Sequence, residues 1–311
     1  MNCDDTYVAR MLLKSRICAA SGQEYEDLFT SVMRKAVPGF RQIKPQGSRG
    51  DRKNDGYTPI GGRYWQVYAP EEPAGKSGVA AAKALEDFEG LKAFWDTICP
   101  VREYNFAFND KYKGSYPDIE KAVAGIRESH ELDHCDVFLA AQLEDQFMSL
   151  DDKDMRAVIG HIPTPDDLSM DLQFEEVSEV IGYLMKDRTP VEEASLGELP
   201  DWDEKIRFNC LGPVPESMME AGAHQLGSLE AYFKSNSRWL RSRVRDRLVK
   251  IYASIRDETL WKPDGTTSSG DSVFFQILST ICPRSERAVT NAGIVLLAYF
   301  FETCDVFEEP S

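Results

Sequence analysis

The chain has 311 residues, of which 42% are hydrophobic and 28% charged, a balance typical of a folded protein and not of a disordered tail. Its formal net charge of −16 argues against general nucleic-acid binding, because phosphate backbones repel an acidic surface. No window approaches about 18 consecutive apolar residues, so we expect no membrane span. The acidic N-terminus lacks a signal-peptide core, and the seven cysteines form no CxxC pair, which fits reduced thiols in the cytoplasm.

The first half of the chain alternates predicted helices and strands. Helices are predicted over residues 5–20 and 22–36, followed by a basic, glycine-rich loop over 42–56. A hairpin follows, with strands over 56–60 and 63–69 around a Gly61-Gly62 turn. The remaining predictions are helices over 79–96, 117–130 and 135–150, a strand over 104–108, and a short strand or helix end over 155–159.

The second half has a mostly helical pattern. Helices are predicted over residues 172–186, 216–234, 237–257, 271–281 and 285–304, with a loop over 187–204. A proline-rich linker at 163–167 divides the chain into domains 1–165 and 166–311. The apolar run Ala292–Phe301 is too short to span a membrane, so we expect it to be buried inside its domain or against another chain.

Charge is unevenly distributed. Residues 34–65 carry eight basic and two acidic side chains, a balance of +6, whereas residues 141–204 carry eighteen acidic and four basic, a balance of −14. A local basic zone in an acidic chain points to a site for an anion. Residues 234–250 also have a balance of +6, which fits either a solvated helix face or a patch for DNA or an acidic partner.

Helix and strand geometry predicts which polar side chains near the hairpin point toward one another. At about 100° per residue, Glu26 falls at the edge of the apolar stripe of its helix, and Asp27 points to solvent. If Gly61-Gly62 is a two-residue turn, Asp55 faces Tyr68, and Gln66 lies one diagonal away on the same face. Glu26, Asp55 and Gln66 are therefore expected to converge.

Two carboxylates and an amide oxygen are hard ligands that suit Mg²⁺. The metal would polarise a phosphoryl oxygen and deprotonate an attacking water. The basic loop over residues 41–53 would hold a phosphate backbone nearby.

The segments GQEYEDLF, GSRGDRKNDGY and YWQVYAPE resemble the PD-(D/E)xK nuclease superfamily, especially its Mrr-like restriction-endonuclease branch. The family pattern is a helix glutamate, a turn aspartate, and then Glu or Gln, any residue and Lys on the next strand. Glu26, Asp55 and Gln66 match the first three roles. The resemblance therefore implies an α/β nuclease-like domain with a mixed sheet flanked by helices, these residues as metal ligands for Mg²⁺ or Mn²⁺, and the Val67 carbonyl as a further ligand.

Tyr68 replaces the family lysine, which normally orients or activates the water. Because that lysine can migrate to another element in the superfamily, the resemblance implies Lys83 on the following helix as the catalytic lysine. Lys53 and Lys76 are weaker candidates.

Basic residues around this site are the expected DNA contacts. Arg49, Arg52 and Lys53 lie in the basic loop, and Lys111 follows the strand over 104–108. Lys111 and its neighbours fit either the edge of a DNA cleft or an ordinary loop.

The C-terminal sequence VLLAYFFETCDVFEEP resembles the C-terminal domains of effector subunits in ABC-three-component systems, which are bacterial anti-phage operons related to Lamassu. KIRFNCL at 205–211 and the helix before YASI are consistent with that likeness. In those systems an effector, often a nuclease, docks through its C-terminal module on a small middle component and an SMC-like ABC ATPase. The resemblance implies these partners, beside double-stranded DNA.

The leading hypothesis is a Mg²⁺-dependent DNA endonuclease effector, which residues 166–311 hold inactive until a partner senses foreign DNA. Cutting both strands needs two active centres, so a homo-oligomer is expected on activation. Two alternatives stay open. One is a catalytically dead nuclease fold that serves as a DNA-binding or scaffold subunit, which Tyr68 favours. The other is a stand-alone restriction enzyme.

Overall fold

The structure, a computed structural model, describes residues 2–45, 51–186, 202–258, 269–303 and 306–308. The chain divides into two compact units, one formed by Ile17–Val158 and the other by Met1–Arg16 with Ile159–Ser311. The first unit contains the sheet and the second is helical. The sheet-containing unit therefore ends at Val158, before the predicted boundary at residue 165, and the N-terminal residues belong to the helical unit.

One mixed sheet organises the sheet-containing unit. Its elements in chain order are the end of helix α1 (Cys3–Ala19), α2 (Gly22–Ala36), β1 (Arg41–Gln42), β2 (Gly56–Thr58), β3 (Arg63–Tyr68), α3 (Ser77–Trp95), β4 (Glu103–Phe108), α4 (Pro117–His130), β5 (His134–Phe138), α5 (Ala140–Met148) and α6 (Asp152–Ile159). The strand order is β1-β2-β3-β4-β5. The β1–β2 and β2–β3 pairs are antiparallel, and the β3–β4 and β4–β5 pairs are parallel. The predicted mixed sheet with flanking helices is confirmed.

Successive side chains of β3 point to opposite sides of the sheet, and other parts of the chain pack against both sides. On one face Tyr64 stacks on Tyr57, with ring centroids 5.3 Å apart, and packs near Trp95 of α3. On the other face Trp65 packs on Phe40, with ring centroids 5.4 Å apart. Helices α3 and α4 provide the crossovers that parallel pairing of β3, β4 and β5 requires.

The predicted hairpin register was wrong by two residues. Gly56 pairs with Trp65, and Thr58 pairs with Arg63, so the connecting loop is 59–62 and not Gly61-Gly62 alone. Gly62 is the last residue of this loop and directly precedes β3. Its carbonyl accepts the N–H groups of Arg102 and Glu103, both at 3.0 Å. A shift of two residues leaves every side chain on its expected face.

The predicted helix over residues 135–150 was also wrong in its first part. Residues His134–Phe138 form strand β5, in which Cys135 and Val137 are buried and alternate with exposed neighbours. This period of two allows parallel pairing with β4, and the helix begins only at Ala140. Residues 155–159, left open between strand and helix end, belong to α6.

The helical unit contains the beginning of α1, a 3₁₀ turn at Pro165–Ser169, and the helices α7 (Phe174–Leu184), α8 (Trp202–Phe208), α9 (Pro213–Ala223), α10 (Leu226–Ser235), α11 (Leu240–Glu258), α12 (Ser269–Ile281) and α13 (Arg287–Glu302). Two predictions need correction. The single helix over 216–234 is two helices, interrupted at His224-Gln225. The predicted loop over 187–204 contains the start of α8, and residues 187–201 lie outside the described residues.

Helix α13 forms the centre of the helical unit. Every residue from Val289 to Phe301 is buried, and α7, α9, α10 and α12 pack against the helix. The predicted burial of Ala292–Phe301 is confirmed, and helices of the same domain provide it. In the part of the chain that the structure describes, no helix combines the length and hydropathy needed to cross a membrane.

Candidate functional site

Asp55 and Gln66 lie opposite each other where the β2–β3 pairing continues beyond β2. The N–H of Asp55 donates to the Trp65 carbonyl at 3.1 Å, and the Val67 N–H donates to Asp55 Oδ2 at 2.6 Å. Both side chains are buried, with exposed fractions of 4% for Asp55 and 5% for Gln66. Among the described residues Gln66 Oε1 has no hydrogen-bond partner, which is unusual for a buried oxygen and leaves it available to a ligand.

Electrostatics at Asp55 favour a nearby cation. Burial raises the pKa of Asp55 to about 7, because the ionised carboxylate loses its solvating water. The Val67 hydrogen bond and the charge of Lys83 act in the opposite direction, whereas the negative charges of Glu26 and Asp51 raise the pKa further. The negative charges of Glu26, Asp51 and Asp55 thus repel one another, and a bound cation would relieve that repulsion.

Helix α2 places Glu26 beside this pair. The Gly22 N–H donates to the Ala69 carbonyl at 2.7 Å, which ties the first turn of α2 to the residue that follows β3. Glu26 is half-buried and Asp27 is exposed, as the helical geometry predicted. Burial raises the pKa of Glu26, and the charges of Asp27 and Asp51 act in the same direction.

Val67, predicted to offer its carbonyl, lies within β3 with its side chain 9% exposed. It is in register with Ala107 of the parallel strand β4. Its N–H orients the Asp55 carboxylate, so the residue contributes to the site through its backbone.

Tyr68, which replaces the lysine expected from the nuclease resemblance, packs on the neighbouring strand β4. Its ring stacks on Phe106 and Phe108, with centroid separations of 6.2 and 6.3 Å. The Nζ of Lys83, the predicted catalytic lysine, lies 5.8 Å from the centroid of the Tyr68 ring. Lys83 therefore approaches the face of β3 that carries Gln66 and Tyr68. Lys76 is an exposed residue that immediately precedes α3.

Asp87 is a buried carboxylate near the candidate site that was not predicted from the sequence. This residue of α3 is 1% exposed and contacts two lysine amines, Lys83 Nζ at 2.5 Å and Lys53 Nζ at 2.6 Å. Its hydrogen bond raises the pKa of Lys53. A signal was present in the sequence, because Asp87 falls inside the stripe of α3 formed by Ala84, Phe88 and Leu91.

Three of the four predicted DNA contacts lie in the described residues, and each of the three contacts another part of the protein. Arg49 lies outside the described residues. Arg52 stacks over Phe94, with 5.0 Å from its guanidinium carbon to the ring centroid. Lys53 contacts Asp87, and Lys111 Nζ donates to the Glu71 carbonyl at 2.9 Å.

The loop before Lys111 has a structural role. Asn109 donates to the carbonyls of Ile17 and Ala20 at 2.9 and 3.1 Å. Asp110 accepts the N–H of Ala140 at 2.9 Å. These buried contacts tie the loop to the end of α1 and to the start of α5.

Over the described ranges, no group of three or more His, Cys, Asp and Glu side chains is arranged to hold a metal. The predicted site has a different donor set, namely two carboxylates, one amide oxygen and one backbone carbonyl. The buried Gln66 oxygen and the raised pKa of Asp55 fit a hard divalent cation such as Mg²⁺.

Part of the helical half is similar to a known domain family. Residues 175–308 match the family model described as C-terminal domain 10 of the ABC-three component (ABC-3C) systems. The match confirms the predicted likeness of this region, and it suggests a component of a bacterial defence system with several components. Searches of curated proteins and of solved structures gave no significant match.

Proposed function

We propose that this chain is a Mg²⁺-dependent DNA endonuclease and the effector subunit of a bacterial anti-phage defence complex. The observation that carries the proposal is the pairing of Asp55 with Gln66, a buried carboxylate opposite a buried amide oxygen, with Glu26 close enough to repel Asp55. The likeness of residues 22–71 to PD-(D/E)xK nucleases supports the reaction class. The match of residues 175–308 supports the setting.

Glu26, Asp55, Gln66 and the Val67 carbonyl would hold the cation. When bound, Mg²⁺ would polarise a phosphoryl oxygen and lower the pKa of a water molecule, so that the water loses a proton and becomes a stronger nucleophile. Lys83 would orient that water or neutralise the phosphate charge from the side of Tyr68. Arg52 and Lys53 would contribute positive charge toward the DNA backbone.

Restraint by partners follows from the same chemistry, because a free nuclease without sequence preference would cut host DNA. Residues 166–311 would dock on a small middle component and an SMC-like ABC ATPase, which release the nuclease when foreign DNA is sensed. The net charge of −16 favours this arrangement over autonomous DNA binding.

A catalytically dead nuclease fold is the second candidate, in which the chain binds DNA or acts as a scaffold. Two observations favour it: Tyr68 stands at the lysine position, and the amines of Lys83 and Lys53 both contact Asp87.

Cleavage of supercoiled plasmid by the complex assembled with its ATPase and middle component tests the proposal. We expect cutting with Mg²⁺, none with chelator, and loss of cutting in Glu26→Ala, Asp55→Ala and Lys83→Ala. Asp27→Ala is the matched control, because it removes an exposed carboxylate next to Glu26.

Each contrary result identifies a different error. If Asp55→Ala still cuts, the site assignment is wrong. If the assembled wild type binds DNA and never cuts, the scaffold candidate is correct. Sequence-specific cutting by the isolated chain would indicate a stand-alone restriction enzyme.

A further inference from the structure

Asp87 is a buried carboxylate that connects two elements next to the candidate site. Its side chain is 1% exposed, so ionisation requires partners that replace the lost water. Lys83 and Lys53 provide them at 2.5 and 2.6 Å. The two lysine side chains are themselves 33% and 42% exposed, which means that both reach inward from the surface to this carboxylate.

Lys53 belongs to residues 51–54, the segment that leads directly into Asp55. Arg52 and Lys53 have φ angles of 59° and 62°, a left-handed conformation that costs free energy for residues with a Cβ atom. Lys53 donates its N–H to Asp51 Oδ1 at 2.8 Å, and its stem packs on Gly90, where an added Cβ would lie 3.2 Å from Lys53 Cγ. The contact with Asp87 therefore holds a strained segment that sets the position of Asp55.

Lys83 reaches Asp87 from one turn earlier in α3, where residues four apart share a face. Its amine also lies 5.8 Å from the centroid of the Tyr68 ring, on the face of β3 that carries Gln66. Asp87 thus gathers two amines, one from α3 and one from the segment before Asp55.

We propose that Asp87 is a positioning residue, which fixes Lys53 and Lys83 beside Asp55 and so supplies the cationic side chain that Tyr68 cannot. Asp87 acts through these lysines and through the segment 51–54. Its role in cleavage rests on the proposed nuclease function, whereas its anchoring of residues 51–58 can be measured without any activity.

Amide hydrogen exchange of the full-length chain tests the anchor. Asp87→Asn preserves the shape of the side chain and removes its charge, so we expect exchange at residues 51–58 to accelerate about tenfold or more. Lys53→Gln should have the same effect, and Lys83→Gln a smaller one. Asp96→Asn is the control, because Asp96 directly follows α3 and pairs with Lys92 at 2.7 Å with the same four-residue spacing. Asp96 also accepts the N–H of Val101 at 2.7 Å, and both of these partners lie outside residues 51–58.

Plasmid cleavage by the assembled complex tests the positioning role. We expect Asp87→Asn to lower kcat about 100-fold, within the range for a mispositioned proton-transfer group, and to change KM for DNA less than about threefold. Asp87→Glu should restore part of the loss, and Lys53→Gln should add little in the Asp87→Asn background, because Lys53 acts through its contact with Asp87. Asp96→Asn should leave cleavage unchanged.

Unchanged exchange at residues 51–58 in Asp87→Asn would overturn the anchor. Unchanged kcat in a cutting Asp87→Asn complex would overturn the positioning role. A wild-type complex that never cuts would remove the proposed function and the role of Asp87 in cleavage, while accelerated exchange would then still support the anchor.

Discussion

The two units of the chain differ in how well hydrogen bonds compensate their buried charged side chains. In the helical unit, buried Asp271 accepts hydrogen bonds from the Tyr7 hydroxyl at 2.5 Å and the Gly212 N–H at 2.7 Å, and buried Lys205 donates to the Phe301 carbonyl at 2.7 Å. In the sheet-containing unit, Asp55 accepts the Val67 N–H, yet burial and neighbouring carboxylates still raise its pKa to about 7. The first pattern stabilises a fold, whereas the second costs stability and is typical of functional sites.

The largest expected effect is an increase in the free energy of unfolding when the charge of Asp55 is removed by substitution. The folded pKa of Asp55 is about 7 against an ordinary value of 3.8, so ionisation costs stability as pH rises between these values, and the full cost applies above pH 7. Asp55→Asn should therefore raise the free energy of unfolding at pH 8 in chelator by up to about 4 kcal/mol. Denaturant titrations at pH 4 and pH 8 measure it.

At pH 4 the stability of Asp55→Asn should approach that of the wild type, because Asp55 is then protonated in the folded state and only partly ionised in the unfolded state, so little of the cost remains. Asp27→Asn, at an exposed position, should change stability little at either pH. A loss of stability in Asp55→Asn at pH 8 would show that the carboxylate is well compensated, and the contrast between the units would fail.

The opposite outcome is expected in the helical unit. Leu297 is fully buried in α13, so Leu297→Ala should lower the free energy of unfolding by about 3 kcal/mol through lost contacts and a residual cavity. Urea denaturation measures the change. Val249→Ala, at a 41% exposed position of α11, is the control and should cost much less. Equal costs at both positions would contradict the central role of α13.

A smaller effect is expected at Gln66. Gln66→Leu replaces a buried polar group with an apolar one of similar size, so stability in chelator should rise by about 1 kcal/mol. The same change should abolish Mg²⁺ binding measured by calorimetry, whereas Gln66→Glu should retain it because an oxygen ligand remains. Retained Mg²⁺ affinity in Gln66→Leu would remove Gln66 from the ligand set.

The sequence predicted the elements around the site better than their exact pairing. Periodicity located α2 and placed Glu26 at the edge of its stripe, because helical geometry is local. The hairpin loop also makes a longer-range contact, because the Gly62 carbonyl accepts the N–H groups of Arg102 and Glu103 at the start of β4. No local sequence pattern predicts such a contact. The expected faces survived because the error was an even number of residues.

Asp87 shows a different limit of sequence reasoning. Lys83 and Asp87 are four residues apart, a spacing that is ordinary for an exposed ion pair on a helix. The partner that reveals the role of Asp87 is Lys53, which is distant in sequence and is brought to α3 by the left-handed segment before Asp55. Only the folded chain shows that one buried carboxylate serves both lysines.

The most direct test of the account is anomalous diffraction from crystals of the chain soaked with Mn²⁺, which binds oxygen ligands as Mg²⁺ does. We predict one manganese peak within about 2.5 Å of carboxylate oxygens of Glu26 and Asp55 and of Gln66 Oε1. The Asp55→Asn crystal should lose the peak. A manganese ion bound elsewhere, or a wild-type crystal without a peak at these oxygens at saturating Mn²⁺, would contradict the shared metal site.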